Sequence, residues 1–465
     1  MPAAPPPVPR DVEGILNKLW EAGHAAFVVG GGVRDALLDR TVNDWDIATD
    51  ARPERILELF PAGRYENRFG TVTIGGVEVT TFRRDHVYAD HRRPDSVTFS
   101  DDIVEDLARR DFTVNAIAWG GSGADAALEP AWIDPTRGLQ DLDRRVLRAV
   151  GDPAARFEED ALRLLRAARL AAQLGFEIDS PTREQMAAKA DLARWVSNER
   201  VGAELRRMLT ADPPSTGFRI LAESGLLAPL VPELAAQVGL PQTKATGHDL
   251  WGHSLATVDA AALLDPSNQR LRLAALLHDV GKPETFADDR FIGHDIEGAR
   301  IAARLLARFA FPRTDIDRVA QLIRWHMFSY ERHWTNAAVR RFLRRVGSEV
   351  VEELLTLRQA DNVGSGLPQD AGDLDQLRRR VRVELEAGVP LGLAQLAVDG
   401  RDLMAELGLA PGPHIGRLLD RLLDSVVADP ARNTRQRLLA DARAWAREIA
   451  SGQETASGQG TAVAK

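Results

Sequence analysis

The chain has 465 residues, 44% hydrophobic and 27% charged, with a net charge of −9 at pH 7 and no cysteine. That length exceeds one ordinary core and implies two to four domains. The missing cysteines exclude disulfides, thiolate metal sites and a cysteine nucleophile. No apolar run approaches the roughly 18 residues of a membrane-spanning helix.

The opening stretch MPAAPPPVPR lacks the apolar segment of a signal peptide, so a cytoplasmic protein is expected. The acidic balance argues mildly against a nucleic-acid partner, although a binding groove needs only a local basic stripe. Only five of the 59 basic residues are lysines, a bias to which no function is attached here.

Residues 11–150 mix strand and helix signals. AAFVVGG (25–31) and TVTIGGVEVTTF (71–82) read as strands, and PERILELF (53–60) as a helix with proline in its first turn. Between them, GGGVRDALLDRTVNDWDIATD (30–50) joins glycines, an arginine and two closely spaced aspartates. Gly30 and Gly31 form a turn with bare backbone N–H groups, and Arg34 begins the following helix, an arrangement suited to a triphosphate. Asp44 and Asp46, at i and i+2, face the same way if they share a strand. Two carboxylates on one face repel unless a cation lies between them, and an all-oxygen ligand set suits Mg²⁺. Glu78 is the candidate third carboxylate on a neighbouring strand. The chemistry expected is two-metal phosphoryl transfer.

From Asp152 onward helices dominate. EEDALRLLRAARLAAQLGF (158–176) has helical apolar spacing and stops at Gly175, with Asp160 and Arg163 as neighbours on one face. ADPPSTG (211–217) is a joint. Six of the ten histidines fall between 248 and 333. LRLAALLHDVGKPETF (271–286) places His278 and Asp279 at the end of an apolar helix, and a buried adjacent His-Asp pair is costly unless it is paired or metal-bound. NVGSGLPQDAGD (362–373) reads as a loop, amphipathic helix follows to about 450, and 451–465 reads as disordered.

VVGGGVRDALLDRTVNDWDIATDA, YADHRRPDSVTF, RRDFTVNAIA, GDPAARFEEDALRLLRAARLAAQLGF and ERVGAELRRML occur in this order, with DGRDLMAELGLAPGPHIGRLL far downstream. Together they resemble the class II tRNA nucleotidyltransferases, the bacterial and eukaryotic CCA-adding enzymes. Bacterial poly(A) polymerases belong to the same superfamily. The resemblance implies a multidomain α+β chain: a polymerase-β-type head with a mixed sheet (11–150), a helical neck (151–240), an HD domain (245–365) and a helical, tRNA-binding tail (374–450).

It also implies template-independent addition of C and A from CTP and ATP to the tRNA 3′ end. Side chains must then read the base. Cytosine and adenine both present an amino donor beside a ring-nitrogen acceptor, which Asp160 and Arg163 match by accepting and donating. Uracil and guanine reverse that order, at about 1–3 kcal/mol per mismatched contact.

The resemblance further places Arg110, Arg166 and Arg169 at nucleotide contacts. Arg163, Arg166 and Arg169 form a row suited to phosphates, and Asp111 and Asn115 hold the sugar and brace the site. Tyr88, Asp90, Arg92 and Pro94 match the flexible loop used to switch from C to A, which disfavours a CC-only enzyme. The sequence leaves open full CCA addition, A-only addition and poly(A) synthesis. More distant readings are an HD phosphohydrolase with a non-catalytic head and a nucleotide-sensing regulator.

The order His253, His278–Asp279, His294, His326, Asp361 resembles the HD metal-dependent phosphohydrolases. Its mixed ligands suit Mn, Fe, Co, Ni or Zn. In CCA-adding enzymes a complete site of this kind implies phosphatase or cyclic phosphodiesterase activity on RNA 3′ ends. The wording around Asp361 departs from the usual one. His24, His86, His91, His333 and His414 read as surface residues, and His248 is undecided.

Overall fold

In the computed structural model of the chain, residues 4–67, 70–86, 96–123, 129–244, 246–288 and 290–450 are described. Tyr88, Asp90, Arg92, Pro94, His91 and the 451–465 tail lie outside them.

Helix α1 (Arg10–Glu21) buries Val12, Ile15, Leu16 and Leu19, which helical spacing places on one face. The elements that follow are β1 (Ala25–Val29), α2 (Gly31–Leu37), β2 (Asp46–Thr49), α3 (Pro53–Leu59), β3 (Arg64–Asn67), β4 (Thr71–Ile74) and β5 (Val77–Thr81). TVTIGGVEVTTF is thus two strands, turned at Gly75 and Gly76, both with positive φ. A separate ribbon pairs β6 (Arg83–His86) with β7 (Ser96–Phe99). After α4 (Ile103–Ala108), strands β8 (Ala118–Ser122) and β9 (Ala131–Ile133) complete a seven-stranded sheet of order β3-β4-β5-β2-β1-β8-β9. The sheet is mixed, because β2 and β5 run parallel while the other neighbours are antiparallel.

Helices α5 (Gly138–Arg144), α6 (Pro153–Glu159) and α7 (Leu162–Leu174) follow, with the short parallel pair β10 (Val146–Leu147) and β11 (Glu177–Ile178) packed beside them. The expected continuous helix over 158–174 is broken at Asp160, whose backbone is extended. Its Oδ1 accepts from Leu162 N at 3.0 Å, a local bond that competes with helix continuation. Gly175 ends α7 in the left-handed conformation, as expected.

The chain continues through α8 (Ser180–Ala188), α9 (Asn198–Met208), α10 (Ser215–Glu223), α11 (Leu227–Leu230), α12 (Pro232–Ala235), α13 (Leu250–Leu264), α14 (Gln269–Leu277) and α15 (Lys282–Thr285). A small hairpin, β12 (Phe286–Ala287) and β13 (Arg290–Phe291), leads into α16 (His294–Arg308), α17 (Arg313–Trp325), α18 (Asn336–Val346), α19 (Val351–Gly364) and α20 (Leu374–Glu386). The expected loop at 362–373 therefore begins only after Gly364. The last helices are α21 (Gly400–Leu407), α22 (Pro413–Ala428) and α23 (Arg435–Ala450).

One apolar core runs without interruption from Val12 to Val381, while α21–α23 pack around their own cluster of Leu403, Leu418, Leu422, Val426 and Leu438. Buried Arg340 joins the tail to that larger body by donating to Val427 O and Ala428 O and pairing with Glu384. No described helix is long and apolar enough to cross a membrane.

Candidate active site and metal centre

The first site forms where β1 turns into α2. Gly30 has a φ of +80°, and a Cβ there would lie 2.9 Å from Arg110 Nη1 and 3.4 Å from Asp46 Oδ2. Only glycine combines that conformation with so close an approach. Asp46 opens β2, but Asp44 precedes the strand, so their shared orientation comes from the loop rather than from strand alternation. In the parallel register of β2 on β5, Asp46 lies directly opposite Glu78.

Burial pushes the Asp46 carboxyl up to about 6; Arg110 opposes this, while Glu78 and Asp44 add to it. Asp44 and Asp46 line a cavity of about 330 Å³ with Gly30, Gly31, Arg34, Arg110, Asp111, Asn115, Arg166 and Arg169. Asp44, Asp46 and Glu78 do not converge as a set of ligand atoms mutually within 4.8 Å.

Behind them is a braced chain of side chains. Arg34 donates to Asn115 Oδ1 (2.6 Å), and Asn115 Nδ2 donates to Asp111 Oδ1 (3.0 Å). Asp111 Oδ2 accepts from Arg166 Nε at 2.8 Å. Burial alone would raise the Asp111 carboxyl, but Arg166, the Asn115 hydrogen bond and Arg163 together outweigh it and hold the group well below the usual range. The geometry of Asp111 and Asn115 is therefore that of braces.

A second cavity, of about 310 Å³, is lined by Arg109, Arg110, Asp111, Asp160, Leu162, Arg163, Arg166 and Arg200. Asp160 and Arg163 both face it, although not from one helix: Asp160 sits in the break and Arg163 in the first turn of α7. Each is already held by a partner. Asp160 Oδ2 pairs with Arg200 Nη2 at 2.6 Å, and Arg163 Nη1 pairs with Glu159 at 2.5 Å. Arg163 Nη2 also donates to Arg109 O at 3.0 Å. Arg169 is buried against Glu204 and Gln173. The arginine row thus reaches the two cavities with its charges compensated by carboxylates, rather than as a free phosphate track.

The third cluster is buried among α13–α19. His278 ends α14, His326 ends α17 and His294 begins α16. Each donates from Nδ1 to a carbonyl three residues back: Ala275 at 2.8 Å, Ile323 at 2.6 Å and Phe291 at 2.7 Å. A carbonyl only accepts, so each Nδ1 carries a proton and Nε2 is the nitrogen turned toward the centre. Those Nε2 atoms gather on Asp279, at 3.1 Å for His278, 3.5 Å for His294 and 3.8 Å for His326. His253, from α13, places Nε2 3.2 Å from Asp361 and 3.5 Å from Asp279.

A Cβ at Gly281 would lie 2.4 Å from His294 O, so glycine is what lets α16 descend onto this loop. All six residues are buried. Burial drives His326 down to about 3, with His278 adding to the effect. Burial would raise the carboxyl of Asp279, but His278 and Lys282 hold it well below the ordinary range. Nε2 of His294 and of His326 is buried without a hydrogen-bond partner. Among the described residues, His253–His278–Asp279 and Asp279–His294–His326 are the groups spaced to hold a metal ion.

Three families match the chain in succession: the Poly A polymerase head domain over residues 26–148, the probable RNA and SrmB-binding site of polymerase A over 175–238, and the HD domain over 250–365. A CCA-adding enzyme of Geobacillus kaustophilus is 33% identical over 434 residues, 92% of this chain and 95% of that protein. One from Streptococcus thermophilus is 34% identical, over 92% of this chain and 94% of that protein. The chain belongs to the CCA-adding enzyme family.

A crystal structure of the Bacillus stearothermophilus CCA-adding enzyme in complex with CTP superposes with a TM-score of 0.71 at 28% identity, covering 94% of this chain and 98% of that one. The Thermotoga maritima CCA-adding enzyme complexed with tRNA, at 18% identity and a TM-score of 0.57, shares the fold.

Within this CCA-adding enzyme fold, the structure brings Asp44, Asp46, Arg34, Arg110, Asp111, Asn115, Arg166 and Arg169 to one cavity and Asp160 and Arg163 to the next. The six HD residues meet in a third place. Sequence reading missed Arg200, Glu159 and Glu204, which hold Asp160, Arg163 and Arg169 in turn. Arg200 and Glu204 lie inside the quoted motif ERVGAELRRML, but nothing in that motif names their partners 35–40 residues upstream. It also missed Lys244, Lys282 and Arg358 beside the HD aspartates. His248 is exposed, and His24, read as a surface residue, is half-buried and bonded to Asp50.

Proposed function

We propose that this protein adds C and A from CTP and ATP to the 3′ end of tRNA without a nucleic-acid template. The observation that carries this reading is the adjacency of the two cavities: Arg110, Asp111 and Arg166 line both. A nucleotide can lie across that shared wall, its triphosphate beside Asp44 and Asp46 and its base beside Asp160 and Arg163. Family membership and the CTP complex of a relative support the same substrate class.

In the reaction the terminal hydroxyl oxygen bonds to the α-phosphorus, the α–β anhydride bond breaks, and pyrophosphate leaves. Asp44, Asp46 and Glu78 are the metal-holding carboxylates. Their fit to Mg²⁺ rests on the all-oxygen donor set and on the raised Asp46, whose charge is disfavoured first by burial and then by Glu78 and Asp44. Mg²⁺ held there would supply activation of the attacking hydroxyl and charge neutralisation of the leaving group. Gly30 and Gly31 leave backbone room for phosphate oxygens, and Arg34, Arg110, Arg166 and Arg169 border it. Asp111 and Asn115 keep Arg34 and Arg166 aligned.

At the base, Asp160 accepts from the amino group and Arg163 donates to the ring nitrogen, with Arg200 and Glu159 fixing their directions as positioning residues. Cytosine and adenine satisfy both contacts; uracil and guanine satisfy neither. The reading divides the chain into head (11–150), neck (151–240), HD domain (245–365) and tail (374–450), acting in the cytoplasm.

A second activity is supported by the buried cluster. His253, His278, Asp279, His294, His326 and Asp361 would hold one or two transition-metal ions, because the unpartnered Nε2 atoms of His294 and His326 face Asp279 at metal-ligand spacing and Asp361 lies 3.2 Å from His253. Such ions supply an activated water for phosphoester hydrolysis at RNA 3′ ends.

The test is incubation with tRNA lacking one, two or three terminal nucleotides, each NTP being supplied separately. C should enter first, then C, then A, and extension should stop. Incorporation of A alone, and only on tRNA lacking its last nucleotide, supports the A-only reading, and unlimited A addition supports a poly(A) polymerase.

A further inference from the structure

Two of the chain's five lysines meet at the HD cluster, in a protein that takes nearly all its other basic residues as arginine. Lys282 Nζ lies 2.6 Å from Asp279 Oδ2. Lys244 Nζ lies 2.9 Å from Ser365 Oγ and 3.7 Å from Asp361 Oδ1. The second lysine comes from residues 239–249, which fall between the two matched family ranges, 175–238 and 250–365. The described residues of this segment are tied across the site. Gln242 donates to Asp249 O and accepts from Lys282 Nζ at 3.4 Å, while Lys244 reaches the opposite aspartate.

Arg358 occupies the other oxygen of Asp361, at 2.9 Å. The two ligand carboxylates are therefore outnumbered by three fixed cations before any metal enters. A divalent ion increases that positive excess, and a cation 3.7 Å from a metal-ligating oxygen is repelled unless an anion arrives with the metal. Lys244 is the cation placed to meet such an anion, being 24% exposed whereas Lys282 is only 10% exposed. A compact ammonium with rotatable donors can leave an aspartate for a phosphate oxygen without the fixed fork of a guanidinium.

We propose that Lys244 forms, with Lys282, the anion-binding wall of the HD site and selects a terminal phosphomonoester over a 2′,3′-cyclic phosphodiester. At neutral pH the monoester is close to a dianion and the cyclic diester is a monoanion, so the cation-rich wall favours the former. The proposal rests on the reading of the cluster as a metal-dependent phosphohydrolase site. Hydrolysis of the monoester there joins a water oxygen to phosphorus, breaks the bond to the sugar oxygen and leaves the water's proton on that oxygen.

The experiment uses the full chain loaded with Mn²⁺, comparing wild type with Lys244→Gln and Lys244→Arg. Bound Mn²⁺ is counted, inorganic phosphate binding is measured by equilibrium dialysis, and hydrolysis is followed on oligoribonucleotides ending in 3′-phosphate or 2′,3′-cyclic phosphate. A 3′-mononucleotide serves as a further arm, separating recognition of the phosphate alone from recognition of an RNA end. Lys244→Gln should keep its Mn²⁺ and its melting temperature but weaken phosphate binding by about tenfold, and lower the monoester-to-cyclic rate ratio by about tenfold, as the loss of one charge-assisted contact requires. Lys244→Arg, which keeps the charge, should recover part of both.

Phosphate affinity within about twofold of wild type in a folded, Mn²⁺-loaded Lys244→Gln protein would overturn the proposal and leave Lys244 as a counterion of Asp361. A wild type that takes up no Mn²⁺ overturns the phosphohydrolase reading itself, a result distinct from the first.

Discussion

The carboxylates of the head stand on and beside the central strands of the sheet and repel one another, whereas those of the HD domain lie among imidazoles and ammonium groups that favour their charged form. Asp46 is pushed up to about 6 by burial and by Glu78 and Asp44, while Asp279 is held far below its ordinary value by His278 and Lys282. The three head carboxylates do not converge to ligand spacing, and the HD groups do. On the proposed function a metal-bound nucleotide would complete the first site, whereas the second is built into the fold before any ligand arrives. The helix ends explain the second case. An imidazole that caps its own helix terminus through Nδ1 costs little extra ordering and leaves Nε2 aimed at the centre. Losses at the first site should therefore appear in activity, and losses at the second in stability as well.

The largest expected effect comes from Asp44→Ala or Asp46→Ala. Either should lower nucleotide incorporation by about 10³-fold or more and leave tRNA binding nearly unchanged, because metal ligands act mainly on the transition state. Primer-extension rates beside filter-binding affinities check this, and incorporation within tenfold of wild type would remove these residues from the metal site.

Next in size, His278→Ala with Asp279→Ala should abolish hydrolysis of RNA 3′ ends yet spare nucleotide addition. It should also lower stability by about 3–5 kcal/mol, since Lys282 and Asp361 lose their buried partners. A double mutant that melts like wild type contradicts the pre-built character of this cluster, whatever its activity.

Base selection gives a smaller and graded effect. Arg163→Ala should relax discrimination against UTP and GTP by about 10–100-fold while slowing C and A addition. Arg200→Ala should slow C and A addition by about tenfold through loss of the charge-assisted bond that aims Asp160. Single-nucleotide kinetics with all four NTPs separate these outcomes. Unaltered misincorporation in Arg163→Ala would show that the base is read elsewhere.

The smallest effect concerns the burial of the Asp46 carboxylate beside Glu78 and Asp44. The group's value rises from 3.8 to about 6 on folding. Its stabilising contribution is then fully present below about 3.8 and is lost as pH climbs through about 6, because the folded state binds the proton more tightly. The gap corresponds to at most about 3 kcal/mol. Without metal, Asp46→Asn should therefore raise the melting temperature at pH 7.5 by about 1–3 °C and change it little at pH 4. Added Mg²⁺ should stabilise the wild type more at pH 7.5 than at pH 5. Equal melting of mutant and wild type at both pH values would mean that Asp46 bears no such strain.

The sequence by itself determined the residue types that each chemistry requires and the order in which they occur. Hard-oxygen ligands beside glycines, an aspartate and arginine three apart, and histidines before an apolar stop are all local patterns, written within 20 residues or so of chain. The proline-led α3 and the Gly175 stop were legible for the same reason.

Tertiary structure decided what those residues meet. Glu78 faces Asp46 only because β5 lies parallel to β2, a register set by packing across 32 residues of chain. The break at Asp160 turns on one side-chain bond to Leu162 N, which helical periodicity does not detect. Arg200 reaches Asp160 and Lys244 reaches Asp361 across separations of 40 and 117 residues. Such pairs leave no periodic trace in a single chain, because burial of apolar surface sets the distance between their backbones and charge fixes only the final ångströms.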